Sequence, residues 1–419
     1  MNPARDFMLT ATLACVIAAL SSPVAAGQFD RHAHAKLASD WPQFGLDGGH
    51  SGYYQGETPI GKKNVDQLQL GWSTTVVQSG GIVENNGTLY ADSDSDGNLY
   101  AVRAKDGSQL WSVPMLGGGT TFDPVPAVAD KMVVSLCYGT VNGVAGTGLC
   151  GVRASDGGGA WQQICGSCGV QNSPSVDGRL AFYQYLSSNG QTVTPELNAV
   201  NVKTGKIVWQ YSSPYHCVDV GQGGTLPVPV ANGHVYAPLG CLGKQQDKTG
   251  ICALEESNGT PDWCTDVNDQ YASDLESQGT VYAITCCNNG GVAQVMAIDE
   301  GRGAVKWANL LPGGTNGGVH YAVANGILYV VMQFAGIEAI SAKTGALLWN
   351  QTNNVGAAVT VANGVLYTYT RQALSALDAK TGANIWQSNE GNGSSFATPI
   401  IVGGTIYTSC YNLCSYNLP

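Results

Sequence analysis

The chain has 419 residues, a formal net charge of −11 and only 12% charged residues, with 56 glycines and 13 cysteines. The acidic balance argues against a nucleic-acid or anionic-membrane surface. Scarce charge with abundant glycine argues against a helical bundle and for many short strands joined by tight turns.

In chain order, residues 1–26 read as an export signal. Arg5 precedes an apolar run from about Phe7 to Leu20, and Val24-Ala25-Ala26 offers small residues for cleavage before Gly27. Lipidation at Cys15 would need a better-matched box than Thr12-Leu13-Ala14. No later stretch is apolar for long enough to span a bilayer as a helix. The expectation is an exported, monomeric protein, periplasmic or extracellular. Loss of Cys15 would leave twelve cysteines in an oxidising compartment, so disulfides are expected. Residues 27–64 form a leader that wraps the outside or caps one face of the domain formed by residues 65–419. They include His32-Ala33-His34, Trp41-Pro42-Gln43-Phe44-Gly45 and Gly48-Gly49-His50-Ser51-Gly52.

From residue 65 onward one unit recurs. Leu374 to Trp386 reads LSALDAKTGANIW, Ile337 to Trp349 reads IEAISAKTGALLW, and Leu197 to Trp209 reads LNAVNVKTGKIVW. Each is strand, tight turn, strand, and so a β-hairpin. Glycine followed four residues later by tryptophan occurs at Trp111, Trp161, Trp209, Trp263, Trp307, Trp349 and Trp386. Upstream in each unit lies a turn dipeptide, often Asn-Gly, before an apolar-Tyr strand, as at Asn325-Gly326 before Leu328-Tyr329; Asp130-Lys131 is a degenerate case. There are eight such first hairpins and seven second ones. Trp72, in LQLGWSTTV, is a lone Trp strand without the turn glycine. It completes the last unit, so the termini close a ring. The fold predicted is all-β, an eight-bladed β-propeller of four-stranded antiparallel blades over 65–419. Successive Trp separations of 39, 50, 48, 54, 44, 42 and 37 place the insertions in blades two to four, where loops would carry function.

Several motifs carry possible chemistry. Asp92, Asp94 and Asp96 in DSDSDG match the start of a Ca²⁺ loop, but its twelfth position is Arg103 and the segment coincides with a hairpin turn. Cys165 and Cys168 read as a local disulfide. Cys150, Cys252 and Cys414 share one repeat position, each with a cysteine on the preceding strand, which predicts Cys137–Cys150, Cys241–Cys252 and Cys410–Cys414. Cys286 and Cys287 either bond to each other or pair separately with Cys217 and Cys264.

Ala376-Leu377-Asp378-Ala379-Lys380-Thr381-Gly382, followed by a strand and Trp386, resembles the repeat of the pyrroloquinoline-quinone (PQQ) propellers. The resemblance covers about Leu68 to the C-terminus. It implies the fold, and two kinds of function. Some members are dehydrogenases holding PQQ and Ca²⁺ on the axis; others are non-enzymatic, such as the propeller subunit of the outer-membrane barrel-assembly machinery, which this chain is similar to in size. The dehydrogenases carry an adjacent-cysteine disulfide near the start of the propeller, whereas Cys286-Cys287 stand in blade five. A quinoprotein site would need a carboxylate base, for which Asp123, Asp219 and Asp274 are the candidates, and cofactor-binding groups among Asn172, Asn316, His320 and Asn392. Most of these stand alone in Gly-rich loops, and the longer dehydrogenase signatures are missing. The sequence therefore favours a binding or scaffolding propeller, with a protein, carbohydrate or small molecule as ligand, over a PQQ- and Ca²⁺-dependent alcohol or sugar dehydrogenase.

Overall fold

The computed structural model describes residues 40–74, 79–93, 95–115, 125–165, 168–170, 172–188, 193–213, 227–239, 250–267, 272–285, 293–311, 319–332, 335–352, 358–370, 373–389, 398–410 and 412–419. Their strands form eight sheets, each built on four antiparallel strands in sequence order, and the protein is an eight-bladed β-propeller. In blade 1 the strands are Ser79–Asn85, Thr88–Ser93, Asn98–Arg103 and Gln109–Pro114. Blade 8 takes three strands from the C-terminal segment and its fourth, Gln69–Ser73, from upstream of blade 1, with Trp72 opposite Ser415. That strand closes the ring where the sequence pattern required it.

The repeat motif is explained by what it touches. In seven of the eight blades the indole Nε1–H of the fourth strand's Trp donates to a carbonyl of the next blade: Trp111 to Ala154 O (3.1 Å), Trp349 to Ala379 O (3.2 Å), and Trp72 of blade 8 to Ala104 O of blade 1 (3.1 Å). In blades 1, 5 and 6 the second-strand Tyr uses the same acceptor, as when Tyr329 Oη donates to Ala379 O at 3.0 Å. Tyr329 also packs on Trp349, ring centroids 6.1 Å apart. Asp378 Oδ1 accepts the amides of Lys380 and Thr381 and shapes the turn. Nothing in Ala-Leu-Asp-Ala-x-Thr-Gly is left over for a ligand.

The turn glycine is needed twice over. At Gly205 φ is +64°, and a Cβ there would lie 2.5 Å from the Trp161 ring of the preceding blade. Gly205→Ala is therefore expected to destabilise the propeller by about 1–3 kcal/mol, read as a lower denaturant midpoint. Trp386 has no such partner, because blade 8 ends before its turn. It meets Tyr416 edge-on instead, at 5.6 Å.

Disulfide pairing departs from expectation at one site. Cys137–Cys150 and Cys410–Cys414 are bonded, with Cα separations of 5.7 and 6.1 Å. Cys252, however, is bonded to Cys264 rather than to Cys241, which also removes Cys264 as a partner for Cys286 or Cys287. The two cysteines are direct cross-strand neighbours on Gly250–Glu255 and Pro261–Asp266, with Cα atoms 4.0 Å apart. The repeat spacing points from Cys252 toward the preceding strand, whereas the partner stands on the fourth. Cys165 is disulfide-bonded. The side chain of Cys168, and Cys217, Cys241, Cys286 and Cys287, lie outside the described residues.

Candidate functional site: a capped axis and projecting hairpins

The segment from Trp41 to Glu57 binds the first strand, or the turn after it, of every blade. Trp41 exchanges both backbone hydrogen bonds with Glu84 of blade 1 (2.9 and 2.7 Å). Pro42 O accepts from Val128 N of blade 2 at 2.8 Å. The Gln43 amide imitates a strand against Val176 of blade 3, accepting its N–H (2.8 Å) and donating to its C=O (3.0 Å). Carbonyls of Gly48, Gly49, Ser51 and Gly52 then accept from Val230, Glu276, Val323 and Val361 of blades 4 to 7. Glu57 accepts the Gly404 amide of blade 8 at 3.1 Å. The contacts follow blade order, so the segment runs round the end of the ring where first strands give way to their turns. Side chains at Gly48 and Gly49 would sit 2.2 Å from Val230 O and 2.5 Å from Glu276 O, so the close approach needs glycine.

The cap buries polar groups, and burial shifts each of them toward its neutral form. Burial pushes Asp47 up against the opposing hydrogen bonds from Ser51. Burial holds His50 at about 3, and its Nε2 meets Ser175 Oγ at 3.2 Å. Glu84 and Glu276 each accept the amide of the turn glycine three residues on (2.6 and 2.8 Å), and burial raises both to about 7. The repeat pattern does not single out these glutamates, although an acidic residue three before a turn glycine is a legible signal in both places.

Of the candidate catalytic and cofactor-binding residues, Asn172, Asp274 and His320 lie among the described residues. Asp123, Asp219, Asn316, Asn392 and Asp94 lie outside them. Asn172 is tied to Gln184, accepting its backbone amide (2.9 Å) and donating to its Oε1 (3.3 Å). His320 is in blade 6, with its ring 6.4 Å from Phe44 of the cap. Asp274 lies on a first strand of blade 5, its backbone opposite Ala283. These three occupy separate blades, and no group of three or more His, Cys, Asp or Glu among the described residues is placed as metal ligands. Asp92 and Asp96 also part company. Asp92 is buried between blades 1 and 2, where Ser135 Oγ donates to it at 2.5 Å and burial raises it to about 7. Asp96 shapes its own turn, accepting from Asn98 N and Tyr100 Oη.

From the end opposite the cap project the hairpins joining second and third strands. The longest are in blade 2, Met132–Val141 with Val144–Arg153, and blade 3, Leu180–Ser188 with Val193–Asn201. Cys137–Cys150 staples the first about midway along, and Tyr138 and Val144 beyond it are 51% and 50% exposed. In the second, Glu196 is opposed by burial but receives Tyr185 Oη, Ser187 Oγ, Gln210 Nε2 and Ser212 Oγ within 3.1 Å, which together hold it below the usual carboxylate range. An extra short strand, Cys168–Val170, pairs with Tyr185 to Ser187. These hairpins account for insertions counted in blades 2 and 3; the extra residues of blade 4 lie outside the described residues.

Eight four-stranded blades, seven of them joined to the next by a Trp-to-carbonyl and Trp-to-glycine contact, define a PQQ-repeat propeller. The chain belongs to the family described as outer membrane protein assembly factor BamB, whose model matches residues 63–216, 194–314 and 292–417. It is 27% identical over 365 residues to tetrathionate hydrolase of Acidithiobacillus ferrooxidans, covering 77% of this chain and 68% of that protein. It is also 27% identical over 277 residues to BamB of Moranella endobia, covering 65% of this chain and about half (54%) of that protein. Quinohemoprotein alcohol dehydrogenase from Comamonas testosteroni superposes with a TM-score of 0.67 at 13% identity, over 93% of this chain and 82% of its own, a likeness of fold. No helix among the described residues is long and apolar enough to cross a membrane.

Proposed function

We propose that this chain is an exported binding or scaffolding propeller that captures a polypeptide on the face where blades 2 and 3 project. The observation that carries this reading is the disulfide-stapled hairpin of blade 2, which extends beyond its own sheet and presents exposed Tyr138 and Val144 instead of packing them. A staple placed there holds an exposed element rigid, which lowers the entropic cost of binding. Relatedness to BamB, named as an assembly factor, supports a binding role, and the cap leaves the opposite face available. The competing reading is a PQQ- and Ca²⁺-dependent dehydrogenase using Asp123, Asp219 or Asp274 as base.

The test replaces residues 139–146 by a two-residue Asn-Gly turn. Cross-linking in the native exported fraction should lose its main adduct, with capture falling about tenfold or more, while the thermal midpoint stays unchanged because the tip is exposed. Unchanged capture would count against the reading.

A further inference from the structure

We infer that Asn142, at the tip of the blade 2 hairpin, is a site of spontaneous modification that converts to aspartate and isoaspartate in the folded protein. The inference stands apart from the proposed binding function. Six of the chain's ten Asn-Gly pairs lie among the described residues. Asn86, Asn142, Asn232, Asn325 and Asn363 share one turn conformation, with φ between 44° and 53°. They differ in what holds them. Asn86 Nδ2 donates to Asn85 Oδ1 (2.8 Å), and the next amide, Gly87 N–H, donates to Glu84 Oε1 (2.6 Å). Asn232 Nδ2 donates to Glu300 Oε1 of blade 5 (2.7 Å), Asn363 Nδ2 donates to Ile60 O (2.9 Å), and Asn325 Oδ1 accepts from Tyr53 Oη (3.2 Å). Asn258, in a turn between third and fourth strands, accepts Thr260 N–H at 2.7 Å, while Gly259 N–H donates to Glu255 O at 2.8 Å. Asn142 and Gly143 stand beyond the Cys137–Cys150 staple, and residues 142–145 are all exposed.

Deamidation begins when the glycine amide nitrogen, having given its proton to base, attacks the asparagine Cγ. The new N–Cγ bond closes a succinimide ring, and the Cγ–Nδ2 bond breaks with release of ammonia. Water then opens the ring: cleavage at the side-chain carbonyl leaves aspartate, and cleavage at the main-chain carbonyl leaves isoaspartate. Glycine favours the attack because no Cβ shields its nitrogen. The nitrogen and Cγ meet only when the turn opens, and any hydrogen bond on the side-chain amide or the glycine N–H resists that opening. At the other five sites opening breaks a named contact; at Asn142 it disturbs only an exposed tip. The products change the hairpin. Isoaspartate adds one methylene to the backbone of the two-residue turn between Val141 and Val144, and either product adds a carboxylate to a stretch, Cys137 to Cys150, that has no charged residue. Conversion therefore gives the projecting hairpin a second, anionic and irreversible form.

The experiment uses the full chain and needs no variant. The folded protein is incubated in mildly acidic and in mildly alkaline buffer, and the six sites are followed by peptide mapping. Deamidation is read as a mass gain of about one dalton, with fragmentation separating isoaspartate from aspartate. Asn142 is expected to convert about tenfold or more faster than any of the other five, and faster in alkali than in acid. A second arm uses the chain reduced and unfolded in urea, where glycine still follows every asparagine but the tethers are gone. There the six rates should draw together. Conversion of Asn142 no faster than that of the tethered sites, a rate that does not rise with pH, or a lead for Asn142 that persists undiminished in urea would each overturn the inference.

Discussion

Replacing Trp41 with alanine is expected to lower the stability of the whole propeller by about 3–5 kcal/mol, the range for truncating a fully buried tryptophan. Trp41 is only 1% exposed and packs against Tyr54 at a ring separation of 6.4 Å. Its backbone closes a two-way bridge to Glu84, so loss of the ring also loosens the cover over a buried carboxylate. The effect should spread, because the same segment goes on to bind every other blade. Thermal unfolding by circular dichroism checks this. A single shifted transition for Trp41→Ala, with Trp41→Phe in between, is the expected result; an unchanged midpoint would mean the ring stands without its cap.

Stability should also fall as pH rises from about 5 to 8. Burial raises Glu84, Asp92, Glu256 and Glu276 to about 7 in the folded chain, whereas in the unfolded chain they return to ordinary carboxylate values near 4. Between those limits the folded state holds more protons, so each group's contribution is complete below about pH 4 and is lost as pH rises through 7. Neighbouring carboxylates add to the effect, Asp40 beside Glu84, Asp177 beside Glu256, and Glu300 and Asp47 beside Glu276. Four groups run the other way: burial lowers His50 to about 3, so its contribution is lost as pH falls from about 6.5 toward 3 and partly offsets the carboxylates, while Glu196, Asp96 and Asp378, held low by hydrogen bonds or by Lys62 despite burial, add to the decline in stronger acid. The optimum should lie near pH 4–5. Asp92→Asn tests the assignment: it keeps an acceptor for Ser135, removes a buried charge, and should flatten the slope and raise the midpoint at pH 8. A midpoint that climbs with pH across this window would refute the scheme.

The fold was legible because propeller repeats write the same contact over and over. Gly205, Trp161 and Tyr329 each serve one role, and that role recurs with fixed spacing, so the chain displays its own alignment. Ring closure was legible for the same reason, since Trp72 is a copy with its turn missing. Features occurring once were not. The route of Trp41 to Glu57 from blade to blade depends on contacts to residues up to 347 positions away, such as Glu57 to Gly404, and no local pattern encodes them. The expected Cys241–Cys252 pairing gave way to Cys252–Cys264 because two strands flank Cys252 and the sequence does not rank them. Asn172 matched a ligand type, yet its amide is used to brace Gln184 at an irregular stretch of blade 3, a role that composition alone does not distinguish from ligation.

The most direct test of a binding rather than a catalytic role is reconstitution. Purified protein is incubated with PQQ and Ca²⁺, desalted, scanned for quinone absorbance, and assayed for dye-linked oxidation of ethanol and glucose. A binding propeller should retain no quinone and oxidise neither substrate, with cross-linked capture unaffected by the treatment. Retained quinone together with an oxidation that disappears when Ca²⁺ is removed would contradict that role.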